Sequence, residues 1–247
     1  VNIRADEPLP DKNRYLEKNA SYKPVEFSDE LADSKNFKDA YGFKGTVFGD
    51  VTTLPTESDN YILEEVPGGI HIAVKNNDGK ISAVTDGIAM YYKKIPVNVN
   101  FTLKAKMTIN DYFYNNQVSF GLMVRDDCYI DKNMPDILGD YVAAAPLFIT
   151  APLNLTYKDQ AWSCFARKNS ELMQGSVTGR ELKPGDTVEV CIKSNPDGYA
   201  VKLGDGEFLT GGFDFKLTAV DPKHVYAGFF VSRNADVTFT DIEYTEN

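Results

Sequence analysis

Three apolar runs of this chain each end in an arginine: Phe120 to Arg125, Trp162 to Arg167 and Gly228 to Arg233. A guanidinium carries five donors in a rigid fork that fits a carboxylate or a pair of sugar hydroxyls. If the runs are neighbouring strands, Arg125, Arg167 and Arg233 converge on one face, and that patch suits an acidic sugar. The competing reading is three exposed strand-end arginines, each paired with a nearby acid such as Asp126, Asp127 or Asp236. Aromatic rings near the same runs supply the other half of sugar recognition. The C–H face of a pyranose packs on a ring, and polar groups at its rim orient it. Trp162 and Tyr141 are the first stacking candidates, with Tyr91, Tyr92, Tyr112, Tyr114 and Tyr199 beside them. Gln117 and Asn234 complete the set of ligand-binding candidates. Trp162 has an alternative as a core residue, the commoner fate of a lone Trp in a sandwich.

Other chemistry is thinly represented. Asp126, Asp127, Asp131, Asp136 and Asp140 crowd one loop region. Oxygen-rich loops can hold Ca²⁺, but the twelve-residue helix–loop–helix pattern is absent and acidic loops are usually solvated. A structural Ca²⁺ near the last strand would involve Asp241; no cofactor is required. The two histidines, His71 and His224, belong to no Ser–His–Asp arrangement, HExxH run or Cys/His zinc spacing. A polysaccharide lyase would need an Arg, a Tyr and a His or Gln around a uronate. A glycosidase would need two facing carboxylates. No Glu-x-Asp-x-Glu pattern occurs, and the adjacent Glu64 and Glu65 face opposite sides of a strand. No catalytic residue is therefore assigned. Cys128, Cys164 and Cys191 form no CxxC, so one disulfide with a leftover thiol and three free thiols both stand. Cys191 lies in an alternating run, residues 188–192, and reads as a small buried hydrophobe. Asn19, Asn100 and Asn154 begin glycosylation sequons, a match short enough to arise by chance.

The elements that must position these residues are strands. The 14 Tyr and 15 Phe against a single Trp, with few long helical stretches, suit sheets. The clearest strand is 101–109, where Phe101, Leu103, Ala105, Met107 and Ile109 alternate with Thr and Lys, so one face is buried and one wet. Further strands are predicted at 61–66, 70–74, 88–92, 117–125, 141–149, 162–167, 187–192, 199–203, 225–232 and 237–244. Turns rich in Gly, Pro and Asp separate them, at 183–186, 195–198 and 204–206. Many short strands at this spacing indicate an antiparallel β-sandwich or barrel. Residues 1–60 read as an N-terminal extension packed on a sandwich of 61–247, with short helices at 11–18 and 28–37. A length of 247 residues fits one domain. The net charge of −10 argues against nucleic acid and against an anionic membrane surface. No apolar run is long enough to span a bilayer. The chain starts at Val1, so a secretion signal is expected to have been lost by processing or excision.

Residues 86–96, 100–107 and 115–127, and again residues 225–242, resemble the concanavalin-A-like (laminin-G-like) jelly rolls appended to extracellular bacterial polysaccharide-degrading enzymes, pectate lyases in particular. The resemblance runs over about residues 60–245. It implies an all-β jelly roll and an accessory module that binds carbohydrate on the concave sheet or its loops. Catalytic relatives, the jelly-roll alginate lyases, carry a Gln-Ile-His or Gln-Val-His motif that is not intact here, which speaks against lyase activity. The expectation is a monomeric, non-catalytic carbohydrate-binding module for plant cell-wall polysaccharide, pectic or uronate-containing, within a larger secreted protein. The alternatives are a jelly-roll lyase or glycoside hydrolase, and a structural or adhesive sandwich.

Overall fold

The computed structural model describes residues 39–52, 60–76, 78–81, 86–113, 117–128, 139–148, 162–169, 171–174, 181–218 and 220–247. Within these it is an antiparallel sandwich of two sheets. The larger sheet contains β1 (Lys44–Phe48), β5 (Asp86–Pro96), β13 (His224–Ser232), β7 (Ser119–Arg125), β8 (Tyr141–Ala144), β9 (Phe165–Lys168) and β10 (Glu171–Gln174) in that spatial order, with β4 (Lys80–Ile81) paired to β5. The smaller sheet runs β12 (Gly198–Leu203), β11 (Thr187–Asn195), β6 (Phe101–Tyr112), β14 (Ala235–Glu246), β3 (Gly69–Val74) and β2 (Tyr61–Val66). Neighbours far apart in sequence, such as β13 between β5 and β7, make this a jelly-roll arrangement. The expected fold class, an all-β antiparallel sandwich, is the fold of the protein. The expected helices at 11–18 and 28–37 lie outside the described residues.

One boundary differs from expectation. The sandwich begins before residue 61, because β1 is a full strand of the larger sheet, paired to β5 from Lys44↔Tyr92 to Phe48↔Ile88. Short strands without a long period-two run, β1 and β10 among them, leave little trace in composition.

β6 shows how the sandwich is built. Phe101, Leu103, Ala105, Met107 and Ile109 are buried, while the Lys and Thr side chains between them are not. They meet Val47, Tyr91, Leu122, Val124, Phe229 and Val231 of the larger sheet to form the interior. The central strands of the larger sheet behave otherwise. Every residue of β7 is buried, and all of β13 except His224. Their second faces build another apolar cluster, on the side of the larger sheet away from the interior, from Phe48, Met90, Tyr92, Met123, Tyr141, Phe165, Tyr226 and Phe230. Strands covered on both faces read as unbroken apolar runs, which is why β7 and β13 look alike in sequence whichever face carries the polar residue. Gly228 of β13 is dictated by closeness: a Cβ there would lie 1.7 Å from the Tyr91 carbonyl oxygen.

Candidate functional site

The outer face of the larger sheet holds an ionic centre. Antiparallel register places Arg125 of β7 opposite Tyr141 of β8, and Tyr141 opposite Arg167 of β9. Alternation turns all three away from the interior, with Met123, Ala143 and Phe165. Arg125 folds back along its strand, its Nη1 3.4 Å from the Met123 sulfur, and its Nη2 donates to Asp86 Oδ2 at 2.9 Å. Arg167 Nη1 donates to Asp86 Oδ1 at 2.9 Å and its Nη2 to Oδ2. The remaining edges are also used: Arg125 Nε donates to the Asp127 carbonyl at 2.7 Å and Arg167 Nε to the Gly139 carbonyl at 2.8 Å. Arg125, Arg167 and Asp86 are at most 1 % exposed. Both guanidiniums lie over the Tyr141 ring, at 5.0 and 4.5 Å from its centroid. Burial alone would push the Asp86 carboxyl up; the two guanidiniums more than offset this and hold it below its ordinary value. Burial raises the Tyr141 phenol, and its hydroxyl has no hydrogen-bond partner among the described residues.

Arg125 and Arg167 thus converge, as neighbouring strands allow, but on Asp86 rather than on an open face. Neither reaches a ligand from this position, and the Tyr141 ring is already occupied by their charges. Of the local acids expected as partners, Asp127 meets Arg125 through its backbone carbonyl, and the carboxylates of the other two are engaged elsewhere. Asp126 Oδ1 accepts from the Asp140 amide at 2.8 Å, and Asp236 accepts from His71 and Asn110. Asp131, Asp136 and Tyr114 lie outside the described residues, as do Asn19 and Asn154. Asp86 is not singled out by its sequence neighbourhood; the signal for such a residue is two arginines closing apolar strands, which require a counter-charge once buried.

Arg233 does not join this centre. Its Nε donates to the Gly79 carbonyl at 2.9 Å and its Nη1 to Gln117 Oε1 at 3.1 Å, so Arg233 and Gln117 tie connections together. Trp162 is a core residue, 1 % exposed, edge-on to Phe148 at 5.4 Å, and offers no stacking surface. Tyr91 and Tyr199 face the interior and Tyr92 the outer apolar cluster, with similar consequence. Burial pushes the Tyr91 phenol up to about 12. Asp241 sits at an irregularity of β14 with its carboxylate 2.7 Å from Lys106 Nζ. Among the described residues no three His, Cys, Asp or Glu side chains group as metal ligands. Cys128, Cys164 and Cys191 are buried and form no disulfide.

An open cleft of about 490 Å³ lies where the segment after β3, the end of β6 and the β13–β14 turn meet. Lys75 and Asn76 line it from the first, Asp111 and Phe113 from the second, Asn234 and Asp236 from the third. Of the ligand-binding candidates only Asn234 is there. Phe113 is 67 % exposed and is anchored through its backbone, its amide donating to the Asn234 carbonyl at 2.9 Å. Asn76, Arg233 and Asn234 all have positive φ, of 60°, 50° and 27°, a conformation that Asn tolerates and that closes the turns tightly. Asp236 Oδ1 accepts from His71 Nε2 at 2.8 Å, and His71 Nδ1 contacts Glu64 Oε1 at 2.7 Å. The hydrogen bond to Asp236, with that to Glu64, raises the His71 pKa against the opposing effect of burial.

Fold and site together define a β-sandwich domain of jelly-roll type, with a closed ionic centre on one sheet and an open, aromatic-bearing cleft among its turns. The chain belongs to the family described as the pectate disaccharide-lyase N-terminal domain, whose model matches residues 51–247. It is 27% identical over 217 residues to pectate lyase L of Thermoclostridium stercorarium, covering 87% of this chain and 16% of that protein. It is likewise 27% identical over 202 residues to the pectate disaccharide-lyase of Dickeya chrysanthemi, covering 70% of this chain and 27% of that one. The chain thus spans about a quarter or less of these relatives. Among solved structures it is similar to the carbohydrate-binding module CBM66 from Bacillus subtilis, with TM-score 0.41 and 14% identity over 81% of this chain and 94% of that one. It is also similar to a lectin from Bauhinia forficata in complex with GalNAc, with TM-score 0.49 and 8% identity over 83% and 98%. No helix among the described residues is long and apolar enough to cross a membrane.

Proposed function

We propose that this chain is a non-catalytic carbohydrate-binding module that keeps a larger, secreted polysaccharide-degrading protein on plant cell-wall polysaccharide, pectic in kind. The observation that carries this reading is the closure of the ionic centre. The row that gathers an Arg, a Tyr, a second Arg and a carboxylate has its guanidinium edges engaged within the protein and is fully buried. A general acid or base must come within hydrogen-bond reach of the atom it serves, and none of these groups can do so from there. The family match supports an accessory role, because the relatives are pectate lyases of which the chain corresponds to only a small part.

The test is retention of the purified domain on a panel of immobilised pectic and neutral polysaccharides, with and without chelator. Release of unsaturated uronate and of reducing ends is followed in the same incubations. Retention without product formation is the expected result, and loss of retention with chelator would add a calcium requirement. Product formation would replace the module by an enzyme, and no retention on any polymer would favour a structural sandwich.

A further inference from the structure

The cleft beside Phe113 combines three features. The first is the ring. Among the described residues Phe113 is the most exposed large apolar side chain, and the only other in that class is Tyr41, at 45 %. Single exposed apolar side chains are common and need no explanation. This one lines a cleft with the polar side chains of Lys75, Asn76, Asp111, Asn234 and Asp236 around it. A planar apolar face rimmed by short, directional hydrogen-bonding groups is the chemistry that a pyranose or furanose ring requires.

The second feature is preorganisation. Asn76 is held by donation from its Nδ2 to Asn60 Oδ1 at 2.8 Å. Asp111 Oδ1 accepts from the Tyr112 amide at 2.9 Å. Asp236 is clamped by His71 and by Asn110 Nδ2, at 2.8 Å each. Side chains fixed before a ligand arrives lose little rotamer entropy when it binds.

The third feature is charge. Two carboxylates, Asp111 and Asp236, face one ammonium, Lys75. Glu64 stands behind His71, so the His71 ring is shared between Asp236 and a second acid and does not belong to Asp236 alone. A carboxylate accepts well from sugar hydroxyls but repels another carboxylate, and the chain as a whole carries −10. Resting on the binding-module reading above, we infer that this cleft is the sugar-binding site and that it takes a neutral sugar residue of the cell-wall polysaccharide, not a uronate. Phe113 stacks on the ring, and Asp111, Asn76 and Asn234 meet its hydroxyls.

Calorimetric titration of the full chain with neutral galacto-, xylo- and gluco-oligosaccharides and with a galacturonate trimer tests this. At least one neutral oligosaccharide binds, the trimer binds at least ten-fold more weakly, and Phe113→Ala and Asp111→Ala each weaken the neutral ligand ten-fold or more. Phe113→Tyr restores most of the affinity, as a ring requirement demands and a packing role would not. Lys106→Ala, on the far-removed Asp241 pair, leaves affinity unchanged. Because Phe113 is exposed, Phe113→Ala should melt with the parent, so loss of binding reports on the cleft. Undiminished binding in Phe113→Ala and Asp111→Ala overturns the site while leaving a binding module elsewhere on the surface. Preference for the galacturonate trimer, lost on removing Phe113, overturns the ligand class alone. Failure of the parent to bind any oligosaccharide or immobilised polymer overturns both this inference and the reading it rests on.

Discussion

Removing the Asp86 carboxylate should be among the most damaging single changes in the chain. Asp86→Ala takes away three hydrogen bonds from guanidiniums, one from Arg125 and two from Arg167, and leaves two positive charges that are fully buried. Breaking a buried pair by deleting one partner costs about 3–5 kcal/mol, because the orphaned charge keeps its desolvation penalty and loses its compensation. Two arginines share this single acid, so the upper part of that range, about 4–5 kcal/mol, is expected. Domains of this kind have about 5–15 kcal/mol in all. At about 2–4 °C per kcal/mol for a chain of this size, Tm should fall by roughly 8–20 °C. Urea denaturation followed by Trp162 fluorescence and circular dichroism measures it directly.

The same reasoning makes a second demand. Replacing the whole centre, as Asp86→Leu with Arg125→Met and Arg167→Met, should cost far less than Asp86→Ala alone, within about 2 kcal/mol of the parent, because a buried ion cluster contributes little net stability. A loss below about 1 kcal/mol in Asp86→Ala would refute the assignment, since exposed ion pairs are of that size. The pH dependence must agree. The Asp86 pKa is lowered in the folded protein, so its contribution is complete above the ordinary carboxylate value and is lost as pH falls through the lowered one. Destabilisation by Asp86→Ala should therefore shrink only on the acid side of about pH 4.

His71 acts in the opposite sense: its pKa is raised by Asp236 and Glu64, so its contribution is present below about pH 6.5 and disappears as pH rises through the raised value. His71→Gln should flatten that part of the stability–pH curve, and an unchanged slope would count against the double pairing. Gly228→Ala sets a Cβ against the Tyr91 carbonyl and should cost at least ~3 kcal/mol, read as a shift in denaturation midpoint. Arg233→Ala loses its bonds to Gly79 and Gln117 and should cost about 1–2 kcal/mol without changing sugar affinity. The three thiols are buried, and burial pushes Cys164 up to about 12. A thiol-reactive dye should therefore label slowly in buffer and reach three equivalents on unfolding.

The sandwich was legible because its signal is local. Period-two alternation over 101–109 reports β6 directly, and the buried set observed is the one the alternation predicts. The site was not legible because its pairings are distant. Asp86 lies 39 residues from Arg125 and 81 from Arg167, whereas the acids adjacent in sequence, Asp126 and Asp127, were the natural partners to name. Which face Arg125 occupies is equally hidden in β7, since both alternating sets of that strand are apolar. Trp162 and Tyr91 fell on the interior for the same reason. Phe113 leaves only a weak trace in the sequence: it follows Asn110 and Asp111, after the alternation of β6 has ended, where an aromatic side chain has no core to enter.

That contrast explains why recognition would move from the sheet to the turns. A sheet face lined by Phe48, Met90, Tyr141, Phe165 and Phe230 gains more from being covered than from remaining wet, and once covered its arginines need an internal counter-charge, which Asp86 supplies. The turns are under no such demand. Their backbone groups are satisfied locally, as where Phe113 donates to Asn234, and their side chains are left to face solvent from fixed positions. A ligand that is mostly hydroxyl needs a ring to lie on and a few aimed acceptors, and those can be supplied by Phe113, Asp111 and the two asparagines without opening the sandwich. Changes at Asp86 should therefore act on stability and changes at Phe113 on affinity, with little crossover between the two.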